Sequence, residues 1–163
     1  MEEDEQEVVR LTALIESDPD NPELYVLRGI AIQYTDRANS EAMADFDRAI
    51  GLDPRCAQAY AARAHLHNFY GDYDEALEDA NRALALDPSL YEAYRDRAMV
   101  YLDREEAAQA IADFDRSLKL KPGQPDALYW RGVAKEMLGD REGAQQDYAM
   151  HDALKPPYAG SEN

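Results

Sequence analysis

Four aspartates, Asp45, Asp79, Asp113 and Asp147, stand 34 residues apart along the chain, and four arginines, Arg28, Arg63, Arg97 and Arg131, recur with them. Two chemistries suit such a set. A ladder of acids would bind metal ions or a basic ligand. An arginine fork beside each acid would instead hold it by two hydrogen bonds. The second reading is favoured, because a ligand site has no need of four identical copies at one period, whereas a repeated structural unit does. The arginines and aspartates are expected to pair as struts, within a unit or between neighbours. Each pair would add about 0–1 kcal/mol if partly exposed.

The other reactive side chains form no catalytic or metal-binding set. His65 and His67 are two apart, so on a helix they point to different sides, where a metal pair would prefer a spacing of three or four. His67 falls at an apolar packing slot and reads as a core histidine. His151 is the third histidine, and Cys56 the single cysteine. Cys56 reads as a quiet thiol; it excludes an internal disulfide and favours a reducing compartment. "YGDYD" and "LGDRE" read as helix turns, not phosphate loops. No enzyme activity, cofactor or metal is expected. The run "EEDE" reads as a solvated or disordered end.

The bulk numbers narrow the partners. A chain of 163 residues with 45% apolar content suffices for one domain. It has no stretch near the roughly 18 apolar residues that a membrane span needs. "MEEDEQE" lacks the apolar core of a signal peptide, so a cytoplasmic location is expected. The net charge of −17 repels phosphate backbones and anionic lipid. Neither nucleic acid nor membrane is expected as a partner; neutral or basic proteins are.

The elements that must position these residues show in the spacing. Pro54, Pro88, Pro122 and Pro156 share the 34-residue period, as do Ala42, Ala76, Ala110 and Ala144. Small residues follow the arginines, at Gly29, Ala64, Ala98 and Gly132. The first of these is 35 residues from the second, which places one extra residue within "TDRANSE". Apolar residues at helical spacing (Tyr94, Ala98, Tyr101; Ala76, Ala80, Ala83, Leu84) give two helices per unit. A glycine-containing breaker divides the two in "YGDYD" and "LGDRE", and proline stops the second. Asn21 before Pro22 reads as a helix start. The small residues are expected to face the alanines across each hairpin so that the axes approach closely, with Phe46, Phe114 and Tyr148 beside that contact.

The pattern resembles the tetratricopeptide repeat, a 34-residue helix-turn-helix unit, over Asp20 to Pro156. Tyr25, Tyr60, Tyr94 and Leu128 occupy the family's favoured Trp or Leu slots, and the arginines replace its usual leucine. The resemblance implies an all-α fold: a right-handed α-solenoid of antiparallel helix pairs, the tetratricopeptide superhelix. The expected organisation is an acidic N-terminus and capping helix over 1–19, four repeats over 20–156 (about 20–54, 55–88, 89–122 and 123–156), and a tail over 157–163. Val8, Leu11, Leu14 and Ile15 supply the apolar face of the capping half-repeat. In the last helix, Gln145 and Asp152 stand where earlier repeats have apolar residues, so that face is expected to meet water uncovered.

In the family, first helices line a concave groove, exposing the fifth, ninth and thirteenth positions of each repeat. Here these carry Val26, Ile30 and Tyr34; Ala61, His65 and Phe69; Arg95, Met99 and Asp103; and Tyr129, Val133 and Met137, with Trp130 beside them. One reading tucks some of these between neighbouring helices. The other makes an apolar, aromatic groove for a partner, with Arg95, Asp103, Asn68 and Gln33 fixing its register. The family's carboxylate clamp for chaperone C-termini is missing, since Val26, Ile30, Ala62, Glu92 and Asp96 hold its positions. The expected function is a non-enzymatic interaction module or adaptor. It would bind an apolar or helical protein segment with basic flanks. The alternatives are a self-associating scaffold, a possible homodimer, or a small secretion-type tetratricopeptide chaperone.

Overall fold

Caps and left-handed turns set where the helices begin and end. A computed structural model describes residues 2–35 and 39–155. Pro156, the tail 157–163 and part of "TDRANSE" lie outside the described residues. Nine helices are found among the described residues: α1 (Glu2–Ser17), α2 (Pro22–Ile32), α3 (Asn39–Leu52), α4 (Ala57–Tyr70), α5 (Tyr73–Leu86), α6 (Tyr91–Asp103), α7 (Ala107–Leu120), α8 (Pro125–Met137) and α9 (Arg141–Leu154). The fold class is that of an all-α solenoid of antiparallel helix pairs. The start read at Asn21 is present: its side chain accepts a hydrogen bond from the Glu23 amide at 3.1 Å, with Pro22 at the first helical position.

The turns inside the hairpins share one geometry. Gly71 (φ 81°), Glu105 (φ 61°) and Gly139 (φ 81°) all adopt the left-handed conformation. Each amide bonds back to a helix carbonyl, as does the next one: Gly71 to Asn68 and Asp72 to His67, Glu105 to Leu102 and Glu106 to Tyr101, Gly139 to Glu136 and Asp140 to Lys135. That closes the orphan carbonyls at the end of the first helix.

The chain forms two compact units, Met1–Ala93 and Tyr94–Asn163. In the first, α1 packs on α2, and α2 to α5 pack successively. Val8 of α1 joins Ile32, Phe46 and Leu66 in one buried cluster. Ile15 joins Tyr25, Val26, Ala49, Cys56 and Ala59 in another. Leu14, expected on the same apolar face, is exposed. The acidic "EEDE" run is helical rather than irregular. In the second unit, Ala98, Leu102, Ala107, Ala110, Phe114, Ala127 and Ala134 form the core.

The close approach within the hairpins is sharper than the alanine pattern implies. The atoms that a Cβ on Gly29 would strike first belong to the Phe46 ring, at 2.5 Å. On Gly132 they belong to the Tyr148 ring, also at 2.5 Å. Ala42 and Ala144 are buried, but the glycines make room for rings.

Candidate partner-binding surfaces

Each recurring arginine lies on a first helix and reaches the aspartate of its own hairpin. Arg28 Nε donates to Asp45 at 2.8 Å and Nη2 at 2.6 Å. Arg63 holds Asp79 at 2.7 and 2.8 Å. Arg97 holds Asp113 at 2.6 and 2.7 Å. Arg131 holds Asp147 through the same two nitrogens, Nε at 2.8 Å. The remaining nitrogen reaches the preceding hairpin: Arg63 Nη1 bonds Asp47 at 2.7 Å and Arg131 Nη1 bonds Asp115 at 2.7 Å. Arg28 Nη1 instead reaches the Thr12 hydroxyl of α1 at 3.3 Å. The four recurring aspartates are thus held within their own hairpins, and the contact to the preceding hairpin goes to a second acid, Asp47 or Asp115, outside the expected set.

The carboxylates are far less exposed than the sequence estimate assumed. Only 7% of the Asp79 side chain and 2% of Asp147 reach solvent. The hydrogen bonds that they donate to the aspartates raise the Arg28, Arg63, Arg97 and Arg131 guanidiniums above their ordinary range. Burial pushes the Asp147 carboxyl up, but hydrogen bonds from Arg131 and Lys135 outweigh it and hold it below the usual carboxylate range. Lys135 Nζ lies 2.8 Å from Asp147. In the second hairpin the same slot holds His67, 3.6 Å from Asp72 and 3.8 Å from Asp79. This histidine contacts acids, where the sequence placed it among apolar neighbours.

A further recurring contact went unread in the sequence. The Tyr25 ring has two guanidiniums near it, Arg28 at 5.7 Å and Arg48 at 5.9 Å from its centroid. Tyr60 likewise has Arg63 at 5.7 Å and Arg82 at 5.9 Å, and Tyr94 has Arg97 at 5.6 Å and Arg116 at 5.9 Å. The signal was present: Arg48, Arg82 and Arg116 share the 34-residue period.

The expected groove residues divide by unit and by exposure. In the first unit, Ile30 and Tyr34 are exposed at the end of α2, and His65 and Phe69 are exposed on α4. Tyr34 and Phe69 are 67% and 69% exposed. The Phe69 ring meets Tyr70 edge-on at 5.5 Å. Val26 is not on this surface. It is buried against Ile15, Cys56 and Ala59 where α2 meets α4, and no partner can reach it. Ala61 is buried as well. Asn68, expected to fix register, has its Oδ1 buried without a hydrogen-bond partner among the described residues.

In the second unit, Met99 of α6 packs partly on the core, Asp103 is exposed, and Arg95 lies 2.9 Å from Asp96. On α8, Tyr129, Trp130 and Met137 are exposed and Val133 is half-buried. Tyr129 is the hub: its ring lies 5.2 Å from Trp130, 5.6 Å from Tyr148 and 5.4 Å from His151. His151 is fixed by a 3.0 Å contact from Nδ1 to the Pro125 carbonyl. Burial, and then the bond that Tyr148 donates to Glu136, push the Tyr148 phenol up to about 12. Burial likewise pushes the Cys56 thiol up, which suits a quiet thiol. On α9, Gln145 and Asp152 are exposed as expected, but so are Met150 and Leu154. The last helix is therefore not polar throughout its outer surface.

Among the described residues, no His, Cys, Asp and Glu side chains converge as a metal site would, and no helix is long and apolar enough to cross a membrane.

Two family models described as tetratricopeptide repeat match the sequence, over residues 33–91 and 70–129. No curated protein sequence matches it. Among solved structures, the chain is similar to the crystal structure of MamA, at 24% identity and a TM-score of 0.72, covering 90% of this chain and 85% of that one. It is similar to Pseudomonas aeruginosa PilF at 22% identity and a TM-score of 0.82, covering 96% and 71% of the two chains. PilW, described as a widely conserved type IV pilus biogenesis factor, matches at 22% identity and a TM-score of 0.81, covering 95% and 73%. At such identities the likeness shows the fold alone.

Proposed function

The chain belongs to the tetratricopeptide repeat family, and from that premise we propose that it is a non-enzymatic interaction module whose first helices hold an apolar or helical segment of a partner protein. In this reading, a capping helix over 1–19 precedes four repeats at about 20–54, 55–88, 89–122 and 123–156. The observation that carries the proposal is the exposure of aromatic side chains at the first-helix positions that family members use for partners. Tyr34 and Phe69 stand two-thirds in water in one unit, and Tyr129, Trp130 and Met137 are exposed in the other. Rings of this kind supply contact area at little entropic cost, and they dominate binding where they become buried. The net charge of −17 favours a segment with basic flanks and speeds its encounter at low salt.

The arginine-aspartate pairs act in this proposal as struts that hold the helices from which the rings project. A photo-crosslinking residue placed at Tyr34 or Trp130 tests the reading. Crosslinks to one partner from both positions, and none from Glu78 on α5, are the expected outcome. Crosslinking that does not depend on position would contradict it.

A second reading, self-association, draws on the exposed Leu138, Met150 and Leu154 of the second unit. Light scattering separates the two. A monomer at all concentrations supports the first reading, and a stable dimer the second.

A further inference from the structure

Trp130 and Tyr129 stand together on α8 with no lysine or arginine of the chain over either ring among the described residues. Their centroids lie 5.2 Å apart and their planes meet at 81°. In the first three hairpins the chain covers its own rings: Tyr25, Tyr60 and Tyr94 each have two guanidiniums 5.6–5.9 Å from the centroid. One of the two comes from the same helix, three residues after the ring. Three and four residues after Tyr129 and Trp130 the chain has Gly132, Val133 and Ala134 instead. The cations that α8 does carry, Arg131 and Lys135, are held by Asp147. His151 meets Tyr129 at 5.4 Å, so Trp130 has the freer face.

A carboxylate stands beside these rings. Asp126 precedes Tyr129 by three residues and Trp130 by four, which makes it their neighbour on the helix surface. It is exposed and pairs with no cation among the described residues. Any group that covers the indole therefore also crowds Asp126. An apolar side chain would strip water from the carboxylate and leave it unpaired, which costs free energy. An acid would be repelled, by Asp126 and by the net charge of −17. A cation is drawn both to the negative face of the ring and to the carboxylate, and tryptophan is the strongest ring for this contact. A guanidinium is planar, so it can stack on the indole while its N–H groups reach the acid. We propose that Trp130 and Asp126 take an arginine side chain of the partner protein, its guanidinium stacked on the indole and its N–H groups on the carboxylate. This rests on the interaction-module reading above and names the residue type that this part of the module recognises.

Trp130 is the single tryptophan of the chain, so the fluorescence of the full chain reads the site directly. The probe is the peptide acetyl-Ala-Leu-Arg-Leu-Ala-amide, compared with the same peptide carrying citrulline, which keeps the planar shape and loses the charge. The arginine peptide is expected to change the indole emission saturably, and the citrulline peptide to bind about tenfold more weakly. Asp126→Asn, an exposed change, is expected to weaken the arginine peptide by about twofold to fivefold and to leave the citrulline peptide unaffected. Glu78→Gln, which removes an equal charge from α5, is expected to alter neither affinity. If Asp126→Asn loses helicity by circular dichroism, the comparison of the two peptides on the wild type carries the test. Equal binding of the two peptides would overturn the arginine assignment and leave the interaction-module reading standing. An indole that ignores the arginine peptide would also overturn it. So would an equal loss in Asp126→Asn and Glu78→Gln, since the field of the whole chain would then be drawing the peptide.

Discussion

Arg63 bonds Asp47 of the preceding hairpin at 2.7 Å while its other two nitrogens hold Asp79 of its own. One planar guanidinium thereby ties three helices, α3, α4 and α5, and the two acids it uses differ in burial. Asp79 is 7% exposed at its side chain and Asp47 is 58% exposed. Replacing Asp79 with alanine leaves Arg63 half-buried without its main partner, which should cost about 2–4 kcal/mol. Replacing Asp47 should cost about 0–1 kcal/mol, because water screens that pair. Urea denaturation of both variants checks the ranking; an Asp47 variant as damaged as the Asp79 variant would contradict it.

The two glycines under rings should respond differently to alanine. At Gly29 the added methyl meets Phe46, which is fully buried. Overpacking of about 1–3 kcal/mol there exceeds the gain of about 1 kcal/mol in helix propensity. Gly29→Ala should therefore be destabilising. At Gly132 the ring is Tyr148, which is only partly buried, so Gly132→Ala should cost less than Gly29→Ala. Denaturation midpoints for the pair decide the matter, and equal midpoints would show that ring freedom is not the controlling factor.

Glu105 occupies the left-handed turn position that Gly71 and Gly139 hold elsewhere, at φ 61°. An L side chain in that conformation costs about 1–2 kcal/mol. Glu105→Gly should raise stability by about 1 kcal/mol, less the entropy that glycine gives back to the unfolded chain. Gly71→Ala should lower it by a similar amount. Thermal melts test both changes, and a lower melting temperature for Glu105→Gly would refute the strain.

Asp147 should make stability depend on acid. Its folded-state carboxyl is held below the ordinary value by Arg131 and Lys135. The associated stability is complete above the unfolded pKa of about 3.9 and is lost as pH falls through the lower folded value. Denaturation free energies measured downward from pH 5 should fall, and Asp147→Asn should flatten that fall by the share of this one group. An unchanged slope in the variant would mean that Asp147 carries no linkage.

The period, the two-helix unit and the arginine-aspartate partners were legible because a repeat states each contact several times. The second arginine contact was legible in principle: Asp47 and Asp115 follow Asp45 and Asp113 by two residues in each "ADFDR". It was missed because two residues on a helix point to different sides, and the neighbouring hairpin that receives the outer acid cannot be seen within one unit. The tyrosine contacts join the two helices of one hairpin, and they were hidden because the period alone does not say which side of the second helix faces the first. Val26 was misassigned because the same repeat position faces solvent in one place and lies under the next helix in another, and only packing between helices decides which. His67 read as a core residue because its slot elsewhere holds Ile32 and Tyr101. The acids around it come from the following turn and helix.

The proposed role rests on the exposed rings of the first helices, so the most direct measurement compares partner capture by the wild type and by Phe69→Ala/Trp130→Ala, with quantitative mass spectrometry on both eluates. Phe69 is 69% exposed and Trp130 38%, so helicity should not change, and any fall in melting temperature should trace to the Trp130 contact with Tyr129. A discrete partner retained by the wild type and reduced about tenfold or more in the double variant is the predicted result, in line with the loss of two hot-spot rings. Equal recovery of the same proteins by both, with the fold intact, would contradict the account.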